Sequence, residues 1–413
     1  MNKANELSQG SVSPSSNFYG LGIAPKIMET IAQLKFTKAT PIQLRAIPIA
    51  LDNKDLIGIA QTGTGKTMAF AIPIVQNLAQ NKSWALILVP TRELAIQVKE
   101  SVAKIAGPFG IKSAVLIGGA SIHAQLKALS QQPRIIIATP GRLIDLMQQR
   151  KIHLNKVSIL VLDEADRMLD MGFAPQIAKI LKTVPLNRQT MLFSATMPST
   201  IVGIATSYMK FPVQVEIAPP GTSAEDVSHE LFIIHREKKR EVLEKLLQQY
   251  KGSILLFCRT KVGTKKIARF IRGLGHRAAE IHSDRSLSQR QEAMEGFRIG
   301  RHRILAATDI AARGIDVVGI ELVINYDIPE DPENYIHRIG RTGRAGKAGH
   351  AISLATPDQG RDVRNIEQLL KMALPVTRHS DSAVEKFDKP KTVFSAQKVR
   401  GRWKISSRYR SRR

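Results

Sequence analysis

Several things are scarce in this sequence, and each shortage excludes a class of protein. A single cysteine, Cys258, stands among 413 residues, so no disulfide can form within the chain and a secreted disulfide scaffold is excluded. No apolar run approaches the roughly 18 residues that a membrane span needs. The first twenty residues are polar and rich in Ser and Asn, without the apolar segment of a signal peptide. A soluble, cytoplasmic protein is expected. Acidic residues are also short: 35 Asp and Glu face 61 Lys and Arg, a net charge of +26. Such an excess calls for a polyanionic partner. Nucleic acid is favoured over a membrane, because no amphipathic anchor accompanies the charge.

What the chain does have is apolar content, 43 % of its residues, enough to build cores rather than a disordered polyelectrolyte. At roughly 150 residues per domain there is room for two or three domains. Short β-branched runs alternate with stretches of helical period. The runs are Asp55–Ile59, Ala85–Val89, Ala114–Ile117, Arg134–Ala138, Ile159–Leu162 and Thr190–Phe193, with helical segments such as Glu93–Ala106 and Ile122–Leu129 between them. Continuous apolar strands with helical crossovers predict an α/β fold built on a parallel sheet. A turn-rich stretch, residues 218–228, reads as a linker. The alternation then restarts with Glu230–Ile234, Ile254–Phe257, Ala278–Ile281, Ile304–Ala307, Leu322–Tyr326 and Ala351–Leu354. Two domains of similar design are therefore expected, at 17–217 and 229–378, after a flexible stretch at 1–16. A basic tail at 379–413 completes the chain. From Asp381 the tail carries 11 Lys and Arg against 3 Asp and Glu and has no periodic apolar face, so it reads as mobile.

The first chemical signal is Ala60-Gln61-Thr62-Gly63-Thr64-Gly65-Lys66-Thr67, which leaves a strand and opens a helix. Small residues let backbone N–H groups wrap phosphate oxygens, and the helix start adds a positive field. Lys66 is placed to reach the β- and γ-phosphates and the Thr67 hydroxyl to bind Mg²⁺. The strict pattern begins with Gly, where this chain has Ala60. The second signal is the apolar strand that runs straight into Asp163-Glu164-Ala165-Asp166. An acid at the carboxyl end of a buried parallel strand sits where such sheets bind ligands. Asp163 suits the metal, and Glu164 suits the task of orienting or deprotonating the attacking water.

Asp163–Asp166 is the motif that names the DEAD-box RNA helicases, and residues 18–357 resemble that family throughout. The resemblance implies two tandem RecA-like domains, ATP and Mg²⁺ as cofactors, and RNA bound largely through its backbone. Lys35-Phe36-Thr-Lys-Ala-Thr-Pro-Ile-Gln43 resembles the family's Q motif. There a glutamine amide can pair with adenine N6 and N7, Phe36 lies against the base, and Phe18 supports the site. Pro90-Thr-Arg92-Glu-Leu94, Gly118-Gly119 and Thr139-Pro-Gly-Arg142 resemble its strand-contacting motifs, which suit phosphate and sugar contacts. Ser194-Ala-Thr196 would couple hydrolysis to strand separation, together with Asp166. In the second domain Leu256–Thr260 resembles the family's first motif there, with Cys258 a buried strand residue. Within Ala307–Asp316, Thr308 and Gly314 would touch RNA and Asp316 the ribose. Within His337–Arg344, Arg341 and Arg344 would act as arginine fingers and His337 would link to the acids.

One position departs from the family. In His282-Ser-Asp-Arg-Ser-Leu287-Ser-Gln-Arg290, Leu287 stands where a glutamine is usual and Ser283 where a glycine is usual, which puts an RNA role for this loop in doubt and leaves Arg290 as a packing residue. The tail alternates basic and aromatic residues, as in Arg402-Trp403-Lys404 and Arg408-Tyr409-Arg410, a composition suited to single strands of any sequence. The expectation is thus a monomeric, ATP-dependent RNA helicase acting on short duplexes or on ribosomal or messenger ribonucleoprotein. An ATP-gated RNA clamp and a DNA translocase are the alternatives.

Overall fold

The computed structural model describes residues 17–61, 63–217, 227–309, 320–343, 349–377 and 386–388. The first half runs α1 (Pro25–Gln33), α2 (Pro41–Leu51), β1 (Leu56–Ile59), α3 (Lys66–Gln80), β2 (Trp84–Leu88), α4 (Arg92–Ala106) and β3 (Ser113–Leu116). It continues with α5 (Ile122–Ser130), β4 (Ile135–Ala138), α6 (Pro140–Gln148), β5 (Val157–Leu162), α7 (Ala165–Asp170), α8 (Ala174–Thr183), β6 (Gln189–Ser194), α9 (Ser199–Tyr208) and β7 (Val213–Glu216). Its seven strands form one sheet in the order β3-β4-β2-β5-β6-β1-β7, and every pairing is parallel.

The second half contains β8 (Val227–Ile233), α10 (Lys239–Gln249), β9 (Ile254–Phe257), α11 (Lys261–Gly273), β10 (Ala278–Ile281) and α12 (Leu287–Arg298). After these come β11 (Ile304–Ala307), β12 (Leu322–Asn325), α13 (Pro332–Ile339), β13 (Gly349–Ala355) and α14 (Gly360–Leu370). Six strands pair in parallel in the order β10-β11-β9-β12-β13-β8.

Both sheets are buried on two faces, and this explains why their strands read as unbroken apolar runs. In the first half, Ala85 and Ile87 of β2 join the core under α1–α4, while Leu86 and Leu88 point to the core under α6, α8 and α9. In the second half Leu256 faces α10 and α11, and Leu255 and Phe257 face α12. Cys258 lies at the end of β9, fully buried, and burial pushes its thiol well above the ordinary range, so it stays protonated.

Three features differ from the sequence reading. β8 begins at Val227, inside the stretch read as linker, because Val227 and Leu231 face the core beside Tyr335. β7 escaped notice since it is an edge strand with only Val215 buried. Within the segment read as a mobile tail, Phe387 packs on the second half and the Asp388 amide donates to the Pro357 carbonyl at 2.9 Å. Among the described residues no helix is long and apolar enough to cross a membrane.

Candidate active site

The loops at the carboxyl ends of β1, β5 and β6 converge on one point. After β1 the chain turns through Gly63 and Gly65, at φ +86° and +92°, a backbone that side chains resist. α3 then starts at Lys66. Its ammonium is buried and donates across the loop to the Ala60 carbonyl at 2.6 Å, while the Thr64 hydroxyl donates to the Gln61 carbonyl at 2.7 Å. A Cβ on Gly65 would collide with the Gln43 amide nitrogen. That amide is engaged at both ends: its Oε1 accepts from the Thr40 amide at 2.9 Å and its Nε2 donates to the Gly65 carbonyl at 3.0 Å. Gln43, expected to meet adenine, here ties the start of α2 to the phosphate loop. Phe36 is exposed, whereas Phe18 is a core residue. Thr67 is half-buried on the first turn of α3, and Thr62 lies outside the described residues.

β5 delivers Asp163, Glu164 and Asp166, all buried, within reach of Lys66. Their surroundings drive them apart. Burial pushes Asp163 up to about 7, against the pull of Lys66. Glu164, in a left-handed backbone at φ +50°, is penalised by the same burial. The charges of Arg167, Lys66 and Arg341 outweigh that penalty and hold it below the usual carboxylate range, with Arg167 Nη1 2.6 Å from Glu164 Oε2. Asp166 joins two loops. Its Oδ2 accepts from the amides of Ala195 and Thr196 at 2.9 and 3.0 Å and from the Thr196 hydroxyl at 3.3 Å, and its own amide donates to Ser194 Oγ at 3.3 Å. Burial works against its charge, but Lys66, the Arg167 amide and His337 overcome it and lower its titration.

The second half completes this pocket. His337 and Arg341 line it with Lys66, Glu164, Asp166, Arg167 and Ala195, around about 20 Å³ of free space. Arg341 is buried, with its Nε donating to the His337 carbonyl at 3.2 Å. The three arginines of His337–Arg344 do not share one role. Arg338, 2 % exposed, turns inward to a bidentate pair with Asp309 at 2.6 and 2.8 Å and also donates to Asn325 and the Asp327 carbonyl. This buried strut, which fixes α13 against β11 and β12, was missed by sequence reasoning; nothing in the motif separates it from its neighbours. Arg344, Gly314 and Asp316 lie outside the described residues.

The residues expected to meet RNA occupy loops at the carboxyl edges of the sheets. The Arg92 guanidinium wraps the Gly118–Gly119 turn, where a Cβ on Gly119 would collide with it. Gln125 pins that turn, donating to the Ile117 carbonyl at 2.9 Å and accepting from the Ile117 amide at 3.1 Å. Burial and the neighbouring charges of Arg290 and Arg142 lower the Arg92 titration, against the opposing pull of Glu93. Thr139 is the residue preceding α6, and its hydroxyl makes no capping bond. Arg142 is largely buried, 3.9 Å from Asp145. Thr308 follows β11, half-buried. Arg290, left as a packing residue by sequence, crosses between the halves to Glu93 at 2.5 Å, and Leu287 rests against the core of the first half. Glu93 had no assigned role, since a partner so distant in sequence leaves no local signal.

A glycine-lined phosphate loop, an acid cluster two strands over in the same sheet and an arginine supplied by a second sheet define a two-domain nucleoside triphosphatase. Residues 40–203 match the DEAD/DEAH box helicase family model and residues 238–346 the helicase conserved C-terminal domain. The chain belongs to the DEAD-box helicases, and it is an enzyme. It is 44 % identical over 362 residues to the ATP-dependent rRNA helicase RRP3 of Meyerozyma guilliermondii, covering 87 % of this chain and 76 % of that one. It is 43 % identical over 359 residues to the DEAD-box ATP-dependent RNA helicase CshA of Geobacillus kaustophilus, covering 86 % and 77 %. Dbp5 of S. cerevisiae bound to RNA and ADP BeF3 superposes with a TM-score of 0.77 at 30 % identity, covering 88 % of this chain and 95 % of that one. A DEAD box protein of Methanococcus jannaschii reaches only 0.52 at 38 % identity, covering 88 % and 99 %. Identity and superposition run in opposite directions here.

Proposed function

We propose that this chain hydrolyses ATP in an RNA-stimulated way and uses the cycle to separate short RNA duplexes or remodel RNA–protein complexes. The observation that carries the reading is Arg341, a second-domain side chain buried in one pocket with Lys66 and Glu164 of the first. Turnover in such a site depends on bringing the halves together, and a ligand that spans both halves can control it.

Phe36 meets the adenine and Asp316 the ribose; Gln43, held by Thr40 and Gly65, meets the base with the second hydrogen of its Nε2 and the second lone pair of its Oε1. Residues 60–67 cradle the phosphates, with Lys66 on the β- and γ-oxygens. Thr67 and Asp163 are the donors for Mg²⁺. The fit rests on the donor set: a hydroxyl and a buried carboxylate are the hard oxygen ligands that would suit Mg²⁺, and Asp163 is held in place by its Oδ1 accepting the Glu164 amide at 3.0 Å. The ion, when bound, neutralises charge on the phosphate oxygens. Glu164, kept ionised by Arg167, Lys66 and Arg341, orients the attacking water and takes its proton. Arg341 and Arg344 act on the γ-phosphate. Arg92, Gly119, Thr139, Arg142, Thr308 and Gly314 hold the RNA backbone without reading sequence. Asp166, Ser194, Thr196 and His337 transmit the state of the acids to the loop after β6. RNA and ATP each tighten the other because both favour the joined halves.

The RNA belongs to ribosomal or messenger ribonucleoprotein, and the RRP3 relatives' name supports the ribosomal case. The working form is a cytoplasmic monomer. Steady-state ATP hydrolysis with single-stranded RNA, with matched DNA and with neither tests the reading. Stimulation by RNA alone is expected, and equal stimulation by DNA would sink it. The contacts of Leu287 and Arg290 between the halves favour a second reading, an ATP-gated clamp with little unwinding. Comparing unwinding of a short duplex with ATP-dependent retention of RNA separates the two.

A further inference from the structure

The amino-terminal edge of the first sheet, the end away from the phosphate loop, shows apolar side chains to solvent. Strands β5, β6, β1 and β7 lie side by side, so the loops that lead into them, 149–156, 184–188, 52–55 and 209–212, form one continuous strip. At roughly 4.8 Å per strand spacing, its outer loops stand about 14 Å apart. A cavity of about 300 Å³ opens at the β5 end, lined by Met147, Ile152 and Leu154, with His153 and Thr183 beside them. Leu186 follows, 83 % exposed, and Phe211 stands at the β7 end, 99 % exposed.

Phe211 is strained as well as exposed. Its φ is +43°, a left-handed backbone that bulky side chains resist and that Gly or Asn takes more readily. A ring left in water gains no burial energy to offset that strain. The loop is nevertheless held firmly. The buried Asp55 carboxylate accepts from the Lys210 amide at 2.6 Å and the Thr190 amide at 2.7 Å, and the Val213 amide donates to the Asp55 carbonyl at 2.8 Å. Arg188, itself buried, ties the Leu186 loop to the end of α9, donating to the Pro185 carbonyl at 2.8 Å and the Tyr208 carbonyl at 3.3 Å. An outlier fixed this way at the surface points to recognition rather than packing. The charge around it has one sign. Arg150, Lys151, Lys156, Lys54 and Lys210 are exposed on the same loops, whose acids are Asp52, paired with Lys54 at 3.3 Å, and the buried Asp55.

We propose that this strip docks an extended acidic segment of a partner protein. One apolar side chain of that segment enters the Met147–Leu154 cavity, a second rests on Leu186 and Phe211, and its carboxylates lie over the lysines. The span of about 14 Å corresponds to roughly four residues of extended chain. Single-stranded RNA suits the strip less well. Leu186 offers no ring on which a base can stack, and the cavity is lined by aliphatic side chains. Arg92, Gly119 and Thr139 also lie past the opposite, carboxyl ends of their strands. A second copy of this chain, at a net charge of +26, would bring more positive charge to a positive strip. Docking here leaves the nucleotide pocket and the RNA loops free.

The test selects short random peptides displayed on phage against the full wild-type chain, with the F211N/L186S chain as counter-selection. Selected sequences should carry Asp or Glu between two apolar residues about four apart. The best of them, synthesised, should bind wild type and lose on the order of thirtyfold in affinity for F211N, the scale of a central interface residue. T183W, which fills the cavity mouth, should lose affinity as well. K54E/K210E should lose it at low salt and little at high salt. RNA-stimulated hydrolysis should be unchanged in every variant, and F211N should melt above wild type because Asn accepts the left-handed backbone. Selection that yields no sequence dependent on Phe211, or yields basic ones, overturns the proposal, and so does a lower melting temperature in F211N. Weaker binding of single-stranded RNA by F211N/L186S replaces the acidic segment by RNA. A sedimentation dimer of wild type that this variant abolishes replaces it by a second copy.

Discussion

The two halves of the chain repeat one arrangement and use it differently. In each, a strand ends, a helix begins with a buried lysine, and that lysine donates to a backbone carbonyl: Lys66 to Ala60 at 2.6 Å, Lys239 to Tyr326 at 2.7 Å. An acid follows the strand two places over in both sheets, Asp163 after β5 and Asp327 after β12. The difference lies in the loop and in how the acid is satisfied. Gly63 and Gly65 turn the first loop through left-handed backbone, whereas Arg236–Lys238 coil into a short 3-10 turn. Asp327 is neutralised by Lys239 and accepts the Arg259 amide at 3.0 Å, while Asp163 is left with a raised titration. A lysine and an acid on a parallel sheet thus make a structural lock by default. On the function proposed above, they become a phosphate and metal site only where the loop is free of side chains and the acid is short of partners.

This contrast can be broken most sharply at Glu164, whose counterpart after Asp327 is Ile328. Glu164→Gln should cut ATP turnover by about 10²–10⁴, the usual worth of a general base, with ATP and RNA binding retained; full activity would remove its role. Next, Arg338→Ala leaves Asp309 without its bidentate partner and should cost about 3 kcal/mol, the low end for breaking a buried pair because Asp309 keeps some solvent. Denaturant unfolding should register that loss, and a fall below 1 kcal/mol would make the strut incidental. Lys66→Ala should then weaken ATP binding by about 10–100-fold, the scale of a charge-assisted contact. Lys239→Ala should leave ATP affinity alone and lower the melting temperature; if both lysines changed ATP affinity, the halves would not be divided as described. The smallest effect belongs to Leu287→Gln. Loss of a half-buried leucine contact, about 1 kcal/mol, should raise the RNA concentration for half-maximal stimulation about fivefold.

Much of the fold could be read because both sheets are parallel and covered on two faces, so strands such as Ile254–Phe257 appear as apolar runs with sharp ends. β7 could not, since its Gln214 and Glu216 sit on an exposed edge. The phosphate loop and the acid cluster were legible because their residues are adjacent in sequence and chemically distinctive. Arg338 with Asp309, and Arg290 with Glu93, were hidden because a pairing between distant loops imposes no local pattern. Gln43 shows a third kind of gap. Its residue type marks a polar recognition role, but only the fold reveals that Thr40 and Gly65 already hold its amide.

Gly360 begins α14 at φ −58°, a conformation open to any residue, so its backbone gives no reason for glycine. The reason is room: a Cβ there would stand 2.9 Å from the Phe387 side chain. The two positions should therefore be bound together in descent as well as in space. A lineage that loses the aromatic anchor frees position 360 to gain a better helix former, and one that gains a side chain at 360 first evicts the anchor. Substitutions at these sites should arrive in pairs, or in the order anchor first.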